Sequence, residues 1–426
     1  MGEKRRVRIK RAAGWLLSAL VLAVNFSPEV QAIRAMPENI SMTRGQEQSY
    51  SFLFPCRIEA DGRSAQVLSD TSETLENVGT NTLTIKAQDS GKSTITLSFL
   101  GLIPVKRINV SVYENRMLVP GGMAVGITLR TKGVLVVGLS DVETKGGKVS
   151  PAAQGGLRPG DVVLKADKID VNTTKALSEA AAKAGDKLSL TIERSGERME
   201  LEIKPVLDES GIKRLGAWVR DSTAGVGTVT YFDPGNETVG ALGHPITDPD
   251  TGSLLSVRAG SIYKATIEQV IRGEIGEPGQ LCGSFSQSGT PVAQLYENTI
   301  CGVFGNSESI YSLYPEGIPV ALKSEVDVGA AKIISTVEGE TMREYDCEIV
   351  QIYKYTDNGT KSMLVRITDP RLLSITGGIV QGMSGSPILQ NGRIVGAVTH
   401  VLINDPTKGY GIFIENMLEA AENGAN

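Results

Sequence analysis

Apolar and polar positions alternate along three short stretches in the first third of the chain, residues 83–87, 93–98 and 108–112. A period of two is typical of strands with one buried face, and glycine-containing turns separate the stretches. The region carries no recognisable set of catalytic side chains. We therefore predict a β-rich domain over residues 33–117 that serves as a spacer or docking surface.

The pattern then changes. Residues 150–164 read SPAAQGGLRPGDVVL, in which small residues suit a short helix and a Gly-Asp pair precedes a strand. Residues 173–184 have helical spacing, and residues 188–194 alternate again. This order resembles the PDZ domains of bacterial proteases and predicts such a domain over residues 118–206. One departure is Ala-Asp-Lys at residues 166–168, where the resemblance leads us to expect Ile-Asn-Gly.

Gly126, Ile127 and Leu129 lie in a stretch that looks like the glycine-containing loop and strand of PDZ domains. That strand binds a peptide carboxylate by taking up the peptide as an additional strand. We predict that these three residues bind a peptide ligand. The alternative is a PDZ domain that only supports the neighbouring domain.

The remainder, residues 207–426, is rich in glycine and short strands and contains Gly-Met-Ser-Gly-Ser-Pro at residues 382–387. Glycines flank Ser384, so the backbone can turn sharply and project the hydroxyl group. The N–H groups of Gly382 and Ser384 can then point at one spot, as the oxyanion of an acyl-transfer intermediate requires. This motif predicts a nucleophilic serine with an oxyanion hole, and an ordinary Gly/Ser turn is the alternative.

Two strand-like runs joined by Asn391-Gly392, a strong hairpin signal, follow the motif. A serine loop that runs straight into a hairpin resembles the chymotrypsin-like proteases. We therefore predict a mainly β, multidomain chain that ends in a chymotrypsin-like β-barrel serine peptidase domain.

A nucleophilic serine needs a general base, and histidine is the usual one near neutral pH. The chain has two histidines, His244 and His400. His244 precedes the serine, in the order found in chymotrypsin-like proteases, so we predict that it is the base. His400 ends the strand after the hairpin, where it suits a substrate contact or a plain strand end. A lysine base remains open.

The amino-acid composition limits the kinds of partner that we expect for this chain. The net charge is −5, with 43 basic and 48 acidic side chains well mixed, which argues against nucleic acid as a partner. The 48 glycines and 5% aromatic residues fit a turn-rich β protein. The four cysteines lack Cys-x-x-Cys spacing and an adjacent histidine, so we expect no metal and no cofactor, and we assign no disulfide.

Residues 1–32 combine a basic cluster with an apolar stretch. Six lysine or arginine side chains lie in residues 1–11, and residues 12–26 are almost entirely apolar. A weak small-residue cleavage pattern follows at residues 30–32. We predict a signal segment, either cleaved or kept as a membrane anchor, that directs the rest of the chain across a membrane.

Along its whole length the chain resembles the stage IV sporulation protein B family, serine peptidases of endospore-forming bacteria. The most specific elements are ALGHPITDPDTG at residues 241–252 and GIVQGMSGSP at residues 378–387. The resemblance implies a signalling protease that cleaves itself and is exported across the forespore membrane into the intermembrane space. It also implies cleavage of a membrane-bound regulator, stage IV sporulation protein FA, which releases an intramembrane protease from inhibition.

The catalytic triad of that family falls on His244, Asp369 and Ser384. The resemblance implies that Asp369 holds the imidazole of His244 in its productive tautomer while His244 accepts the proton of Ser384. Asp369 follows a strand-like run and precedes a proline, so a simple turn cap is its other interpretation. Asp346 and Asp248 are the alternative third members.

Met383 departs from the digestive proteases of this fold, which carry at that position an aspartate that pairs with a newly cut N-terminus. Activation by that switch is therefore not open to this chain. The competing functional class is a catalytically inactive PDZ adaptor at a membrane surface. The intact His244, Ser384 and flanking glycines argue against it.

Overall fold

A computed structural model of the protein describes Trp15 and residues 26–52, 56–60, 68–69, 73–75, 81–99, 102–113, 116–353 and 359–424. Most of the predicted signal segment, residues 1–32, lies outside the described residues, so that segment stays a prediction. Within the described part of the chain, no helix has the length and apolar character needed to cross a bilayer. The chain forms two compact units, Met1–Arg116 and Met117–Asn426.

The first unit is mainly β. Its described elements are Pro28–Ala35 (α1), Asn39–Thr43 (β1), Glu47–Phe52 (β2), Cys56–Ala60 (β3), Leu68–Ser69 (β4), Glu73–Leu75 (β5), Asn81–Ala87 (β6), Gly91–Phe99 (β7) and Ile103–Tyr113 (β8). They form two sheets, one in the order β1-β8-β7-β3 and one in the order β2-β6-β4 with β5 also paired to β6. The three strands predicted from alternation are confirmed. Their alternate residues, such as Leu83, Ile95 and Ile108, form the buried core.

The second unit contains the remaining described elements. In chain order these are Met117–Pro120 (β9), Ala124–Leu139 (β10), Val142–Thr144 (β11), Gly147–Val149 (β12), Pro151–Gln154 (α2), Val162–Ala166 (β13), Ile169–Asp170 (β14), Thr174–Lys183 (α3), Leu188–Arg194 (β15), Glu197–Ile203 (β16), Val206–Leu207 (β17), Lys213–Arg214 (β18), Ala217–Asp233 (β19), Thr238–Ala241 (β20), Val257–Lys264 (β21), Thr266–Ile271 (β22), Gln280–Ser284 (β23), Ala293–Thr299 (β24), Gly302–Asn306 (β25), Ile318–Pro319 (β26), the 3₁₀ turn Lys323–Glu325, Gly329–Thr336 (β27), Met342–Ile352 (β28), Met363–Ile367 (β29), Pro370–Thr376 (α4), Pro387–Gln390 (β30), Arg393–Val401 (β31), Lys408–Phe413 (β32) and Ile414–Gly424 (α5).

Two barrels form the larger part of this unit. The first closes because β10 pairs with both β21 and β19, which gives the ring β10-β21-β24-β25-β20-β19. The second is closed in the order β27-β28-β29-β32-β31-β30. Asn391 and Gly392, at φ values of 52° and 72°, make the predicted hairpin turn between β30 and β31. The predicted mainly β, multidomain fold with a chymotrypsin-like β-barrel domain is confirmed.

The PDZ sheet is built from β16, β15 and β13, the second half of β10 and the start of β19. Helix α3 begins as predicted, because the side chain of Thr173 accepts a hydrogen bond from the N–H of Ala176. Asp167 and Lys168 adopt φ values of 47° and 69°. The Ala-Asp-Lys segment therefore makes a tight turn without the glycine expected there.

Strands β10 and β19 belong to both the PDZ sheet and the first barrel. They are 16 and 17 residues long, and each runs from one into the other. The predicted domains, residues 118–206 and 207–426, are therefore interleaved rather than successive. The register of β10 against β19 shifts between Arg130 and Leu135, and Gly133, with a φ of 84°, lies within that shift.

Candidate active site

The loop that carries Ser384 is anchored by β19 of the first barrel. Gly382 and Gly385 both have a φ of 97°, in the region that glycine tolerates. A Cβ on Gly385 would lie 2.0 Å from the carbonyl oxygen of Thr228, so a side chain does not fit there. The N–H of Thr228 donates to the carbonyl of Ser384 at 3.0 Å, and its hydroxyl donates to the carbonyl of Gly382 at 2.8 Å. A strand remote in sequence thus holds in place a loop whose sharp turns depend on its own glycines.

The Ser384 hydroxyl and two backbone amides lie at one cleft. Ser384 Oγ donates to the carbonyl oxygen of Thr399 at 2.7 Å. In the described structure the N–H groups of Gly382 and Ser384 donate to no protein acceptor, whereas the N–H of Gly385 donates to Val398 at 2.8 Å. Two free amides are therefore available to stabilise an oxyanion.

His244 follows two residues in the left-handed region, Leu242 and Gly243, both with a φ of 69°. Its Nδ1 lies 2.8 Å from the carbonyl oxygen of Pro245. Since a carbonyl oxygen only accepts hydrogen bonds, Nδ1 carries the proton and Nε2 keeps a lone pair. Burial lowers the pKa of His244, while the bond to Pro245 opposes that shift. A neutral imidazole with a free Nε2 is the form that a general base requires.

His244, His400 and Ser384 line the same cleft, which has a volume of about 460 Å³. The ring centres of the two histidines are 5.2 Å apart, and their planes differ by 43°. Desolvation lowers the pKa of His400 to about 4, with further contributions from His244 and Lys361. The other lining side chains are uncharged. The structure therefore places the predicted base and the predicted nucleophile in one cleft, where Ser384 Oγ is hydrogen-bonded to Thr399 rather than to His244.

Asp369 is not hydrogen-bonded to His244. Its side chain is only 2% exposed and accepts the N–H of Arg371 at 2.9 Å and the N–H of Asp346 at 3.2 Å. The guanidinium of Arg371 donates to both carboxylate oxygens, at 3.0 and 2.7 Å. Arg371 above all, with these backbone donors, holds the pKa of Asp369 well below its usual range. The predicted contact with Nδ1 of His244 is therefore absent, and the carbonyl of Pro245 accepts at that nitrogen instead.

The position of Asp369 agrees with its other interpretation, a cap. It is the N-cap of α4, and Pro370 occupies the first helical position. An aspartate followed by proline is favoured at a helix start, because the carboxylate accepts an otherwise unpaired N–H and proline has none to lose. Helix α4 ends at Thr376, with Gly377 as its C-cap, shortly before the serine loop, so Asp369 helps to position that loop.

The two alternative aspartates, Asp248 and Asp346, are not hydrogen-bonded to His244 either. Asp248 is fully buried, accepts the N–H groups of Asp250 and Thr251 and forms an ion pair with Arg220. Asp346 is exposed to solvent. Among the described residues, no carboxylate is hydrogen-bonded to His244.

The predicted peptide-binding residues Gly126, Ile127 and Leu129 have no free strand edge. Gly126, for example, pairs with Val226 of β19 on one side and with Tyr263 of β21 on the other. A peptide cannot add to a strand that is paired on both sides. The prediction is wrong because these residues lie within the first barrel, where Ile127 lines the same cleft as Ser384 and His244.

A different strand edge borders a groove in the PDZ sheet. Residues 217–219 of β19 pair with β10 on one side, and in the described structure no strand covers their other edge. That edge and α3 border a groove of about 610 Å³ lined by Leu177, Ala181, Gly216, Trp218 and other residues. This geometry suits a peptide that adds as a strand. The sequence signal was Leu-Gly-Ala-Trp at residues 215–218, a glycine directly before a strand.

Two sequence profiles of known families match the chain. The sequence profile of a family described as SpoIVB peptidase S55 matches residues 211–418, and a PDZ domain profile matches residues 121–204. The first match contains His244, Asp369, Ser384 and His400. No curated protein sequence matches the chain significantly.

Solved structures include similar chains at low sequence identity. The HtrA-type protease AlgW bound to a decapeptide is 9% identical, with 71% of this chain and 64% of that chain covered at a TM-score of 0.29. The active form of the Rv3671c protease from M. tuberculosis is 14% identical, with coverages of 47% and 74% and a TM-score of 0.27. The PDZ domain of an SdrC-like protein from Listeria monocytogenes is 20% identical, with coverages of 21% and 87% and a TM-score of 0.17.

Proposed function

We propose, on the premise that residues 211–418 belong to the SpoIVB peptidase S55 family, that this serine peptidase is an exported, self-cleaving endopeptidase of sporulation. The observation that carries the catalytic part is the meeting of Ser384, two free backbone amides and His244 in one cleft. An inactive PDZ adaptor would have no need for a cleft in which a hydroxyl, a neutral imidazole and free amide donors converge.

In the proposed reaction, Nε2 of His244 accepts the proton of Ser384 as Oγ attacks the carbonyl carbon of a peptide bond. The hydroxyl first turns from the carbonyl of Thr399 towards His244. The N–H groups of Gly382 and Ser384 donate to the oxygen on which negative charge develops. The imidazolium then protonates the leaving amine, and water releases the acyl group by the reverse sequence. The carbonyl of Pro245 accepts a hydrogen bond from Nδ1–H of His244, and this bond maintains the tautomer in which Nε2 can accept a proton.

The cleft favours an uncharged substrate side chain next to the scissile bond. Apart from the two histidines, its lining consists of uncharged residues such as Ile379, Val380 and Val401. A charged substrate side chain would lose water there without gaining a partner of opposite charge.

The natural targets and location form the finer part of the proposal. We propose that the protein acts in the forespore intermembrane space, after export through residues 1–32, on itself and on a membrane-bound sporulation regulator. The family resemblance supports these targets, and the groove between α3 and β19 supplies a surface for a peptide segment of a protein substrate. Labelling with a fluorophosphonate probe tests the catalytic part. We expect modification of Ser384 in the full chain, whereas an inactive adaptor would remain unlabelled.

We expect Asp369→Asn to affect stability more than chemistry. Asparagine keeps one acceptor but places an NH₂ group against one of the two N–H donors, which leaves a buried donor unpaired. The free energy of unfolding should fall by about 1–3 kcal/mol, as measured in a denaturant titration. The rate per folded molecule should stay within about tenfold of wild type, because Asp369 does not contact His244.

The pH dependence of stability separates the cap from a triad role. The folded-state pKa of Asp369 is lowered, so its stabilisation is present above the ordinary aspartate pKa and is lost as pH falls through the lower folded value. The advantage of wild type over Asp369→Asn should therefore begin to decrease below about pH 4 and continue to decrease at lower pH. A hundredfold slower rate with unchanged stability would instead restore Asp369 as the triad member.

We expect Trp218→Ala to weaken recognition of protein substrates. Trp218 lies at the groove and is 66% exposed, so its removal leaves the PDZ core intact. Self-processing should slow by at least about fivefold relative to cleavage of a short fluorogenic peptide, because loss of a groove anchor costs about 1 kcal/mol or more. Equal changes in the two rates would favour a PDZ domain that only supports the peptidase.

A further inference from the structure

We infer that His244 and His400 form a binding site for a Zn²⁺ ion that inhibits the enzyme. They are the two histidines of the 426-residue chain. His244 lies in the loop after β20 of the first barrel, His400 lies in β31 of the second, and both line the proposed catalytic cleft. The bound ion would block the base, a consequence that rests on the function proposed above.

The separation of the two rings matches shared coordination. Zinc binds imidazole nitrogens at about 2.0–2.1 Å with tetrahedral angles, which places the centres of two coordinated rings about 5 Å apart. The ring centres of His244 and His400 are 5.2 Å apart. The two rings are therefore at the separation that one shared ion requires.

Both rings have a nitrogen available. Nδ1 of His244 is committed to the carbonyl of Pro245, which leaves the lone pair on Nε2. In the described structure neither ring nitrogen of His400 has a hydrogen-bond partner. Imidazole nitrogens suit zinc, and water would complete the coordination.

The number of ligands sets the strength of the site. No group of three or more His, Cys, Asp or Glu side chains in the described residues is placed to hold a metal ion. Two protein ligands bind zinc more weakly than the three or four of catalytic and structural sites. Lys361 also places a positive charge near His400. We therefore expect reversible, micromolar inhibition rather than a resident metal.

Binding is measured on the full chain with Ser384→Ala, which cannot digest itself. Isothermal titration with ZnCl₂ should give one site per chain, and His400→Gln in the same background should weaken it by about tenfold or more. Cys282→Ser is the matched control, since Cys282 is a free and partly exposed thiol, and it should bind like the parent. Because no catalysis is involved, this result is independent of the proposed function.

Inhibition is measured as the Zn²⁺ concentration that halves the metal-free rate of each variant. Chelation with EDTA should restore the wild-type rate, and His400→Gln should raise the half-inhibitory concentration by about tenfold or more. Lys361→Gln should lower it, because a repelling charge is removed. The inference would be overturned if the His400→Gln protein bound Zn²⁺, or were inhibited by it, as strongly as its parent protein. It would also be overturned if the Ser384→Ala protein bound no Zn²⁺ at about 0.1 mM, which is 100-fold above a micromolar dissociation constant.

Discussion

Ser384→Ala is expected to lower self-processing and peptide cleavage by at least about a thousandfold while the protein stays folded. The substitution removes the oxygen that attacks the peptide carbonyl in the proposed reaction. The fold should survive because the substitution removes one hydrogen bond, from Ser384 Oγ to the carbonyl of Thr399, and both residues line the cleft. Cleavage is followed by mass spectrometry of the purified chain, and folding by circular dichroism.

Ser386→Ala is the matched control two residues away. Ser386 is fully buried, and its hydroxyl donates to Ser335 Oγ at 3.0 Å, so it is not accessible to a substrate. This variant should cleave at close to the wild-type rate and lose about 0.5–1.5 kcal/mol of stability from the broken hydrogen bond. If the Ser384→Ala protein continued to process itself and Ser386→Ala did not, the nucleophile would have been misassigned.

His244→Ala is expected to be as inactive as the serine variant, since the hydroxyl then has no base at neutral pH. His400→Ala should be milder, within about tenfold, because no step of the proposed reaction passes through that ring. Both rates are measured with the same fluorogenic peptide. A folded but inactive His400→Ala protein together with an active His244→Ala protein would reverse the assignment.

The pH profile adds a second test of His244. A general base works only when it is deprotonated, and burial lowers the pKa of His244 below its ordinary value of 6.5. Activity should therefore persist below pH 6.5 and fall as the pH drops through the lowered pKa. An acid limb of kcat/KM centred above 6.5 would show that a different or differently placed group acts as the base.

The serine loop and its hairpin could be predicted because their structure is encoded locally. Gly382 and Gly385 adopt the positive φ that only glycine tolerates easily, and Asn391-Gly392 turns the chain directly between β30 and β31. The strands near residues 83–112 and helix α3 were likewise predicted from periodicity. In such segments the side chains that determine the conformation are neighbours in sequence.

The sequence alone could not decide between the two predicted roles of Asp369. Its aspartate-proline pair predicted a turn cap, and the family resemblance predicted a partner for His244. The structure shows the cap, because Arg371 and two backbone N–H groups already occupy the carboxylate. A one-dimensional motif identifies a carboxylate but does not determine which donors will reach it.

The pairing of the long strands β10 and β19 could be determined only from the tertiary structure. The sequence alone determined the mainly β class, the serine motif and the histidine order, since each depends on residue type and short-range spacing. Whether residues 124–131 were an open PDZ edge or the interior of a barrel depended on pairing with β19 and β21, which are remote in sequence. The same long-range pairing placed the peptide groove at residues 217–219 and brought His400 beside His244. A strand carries the same alternating pattern whichever neighbour it pairs with, so only the folded sheet decided which edges were free.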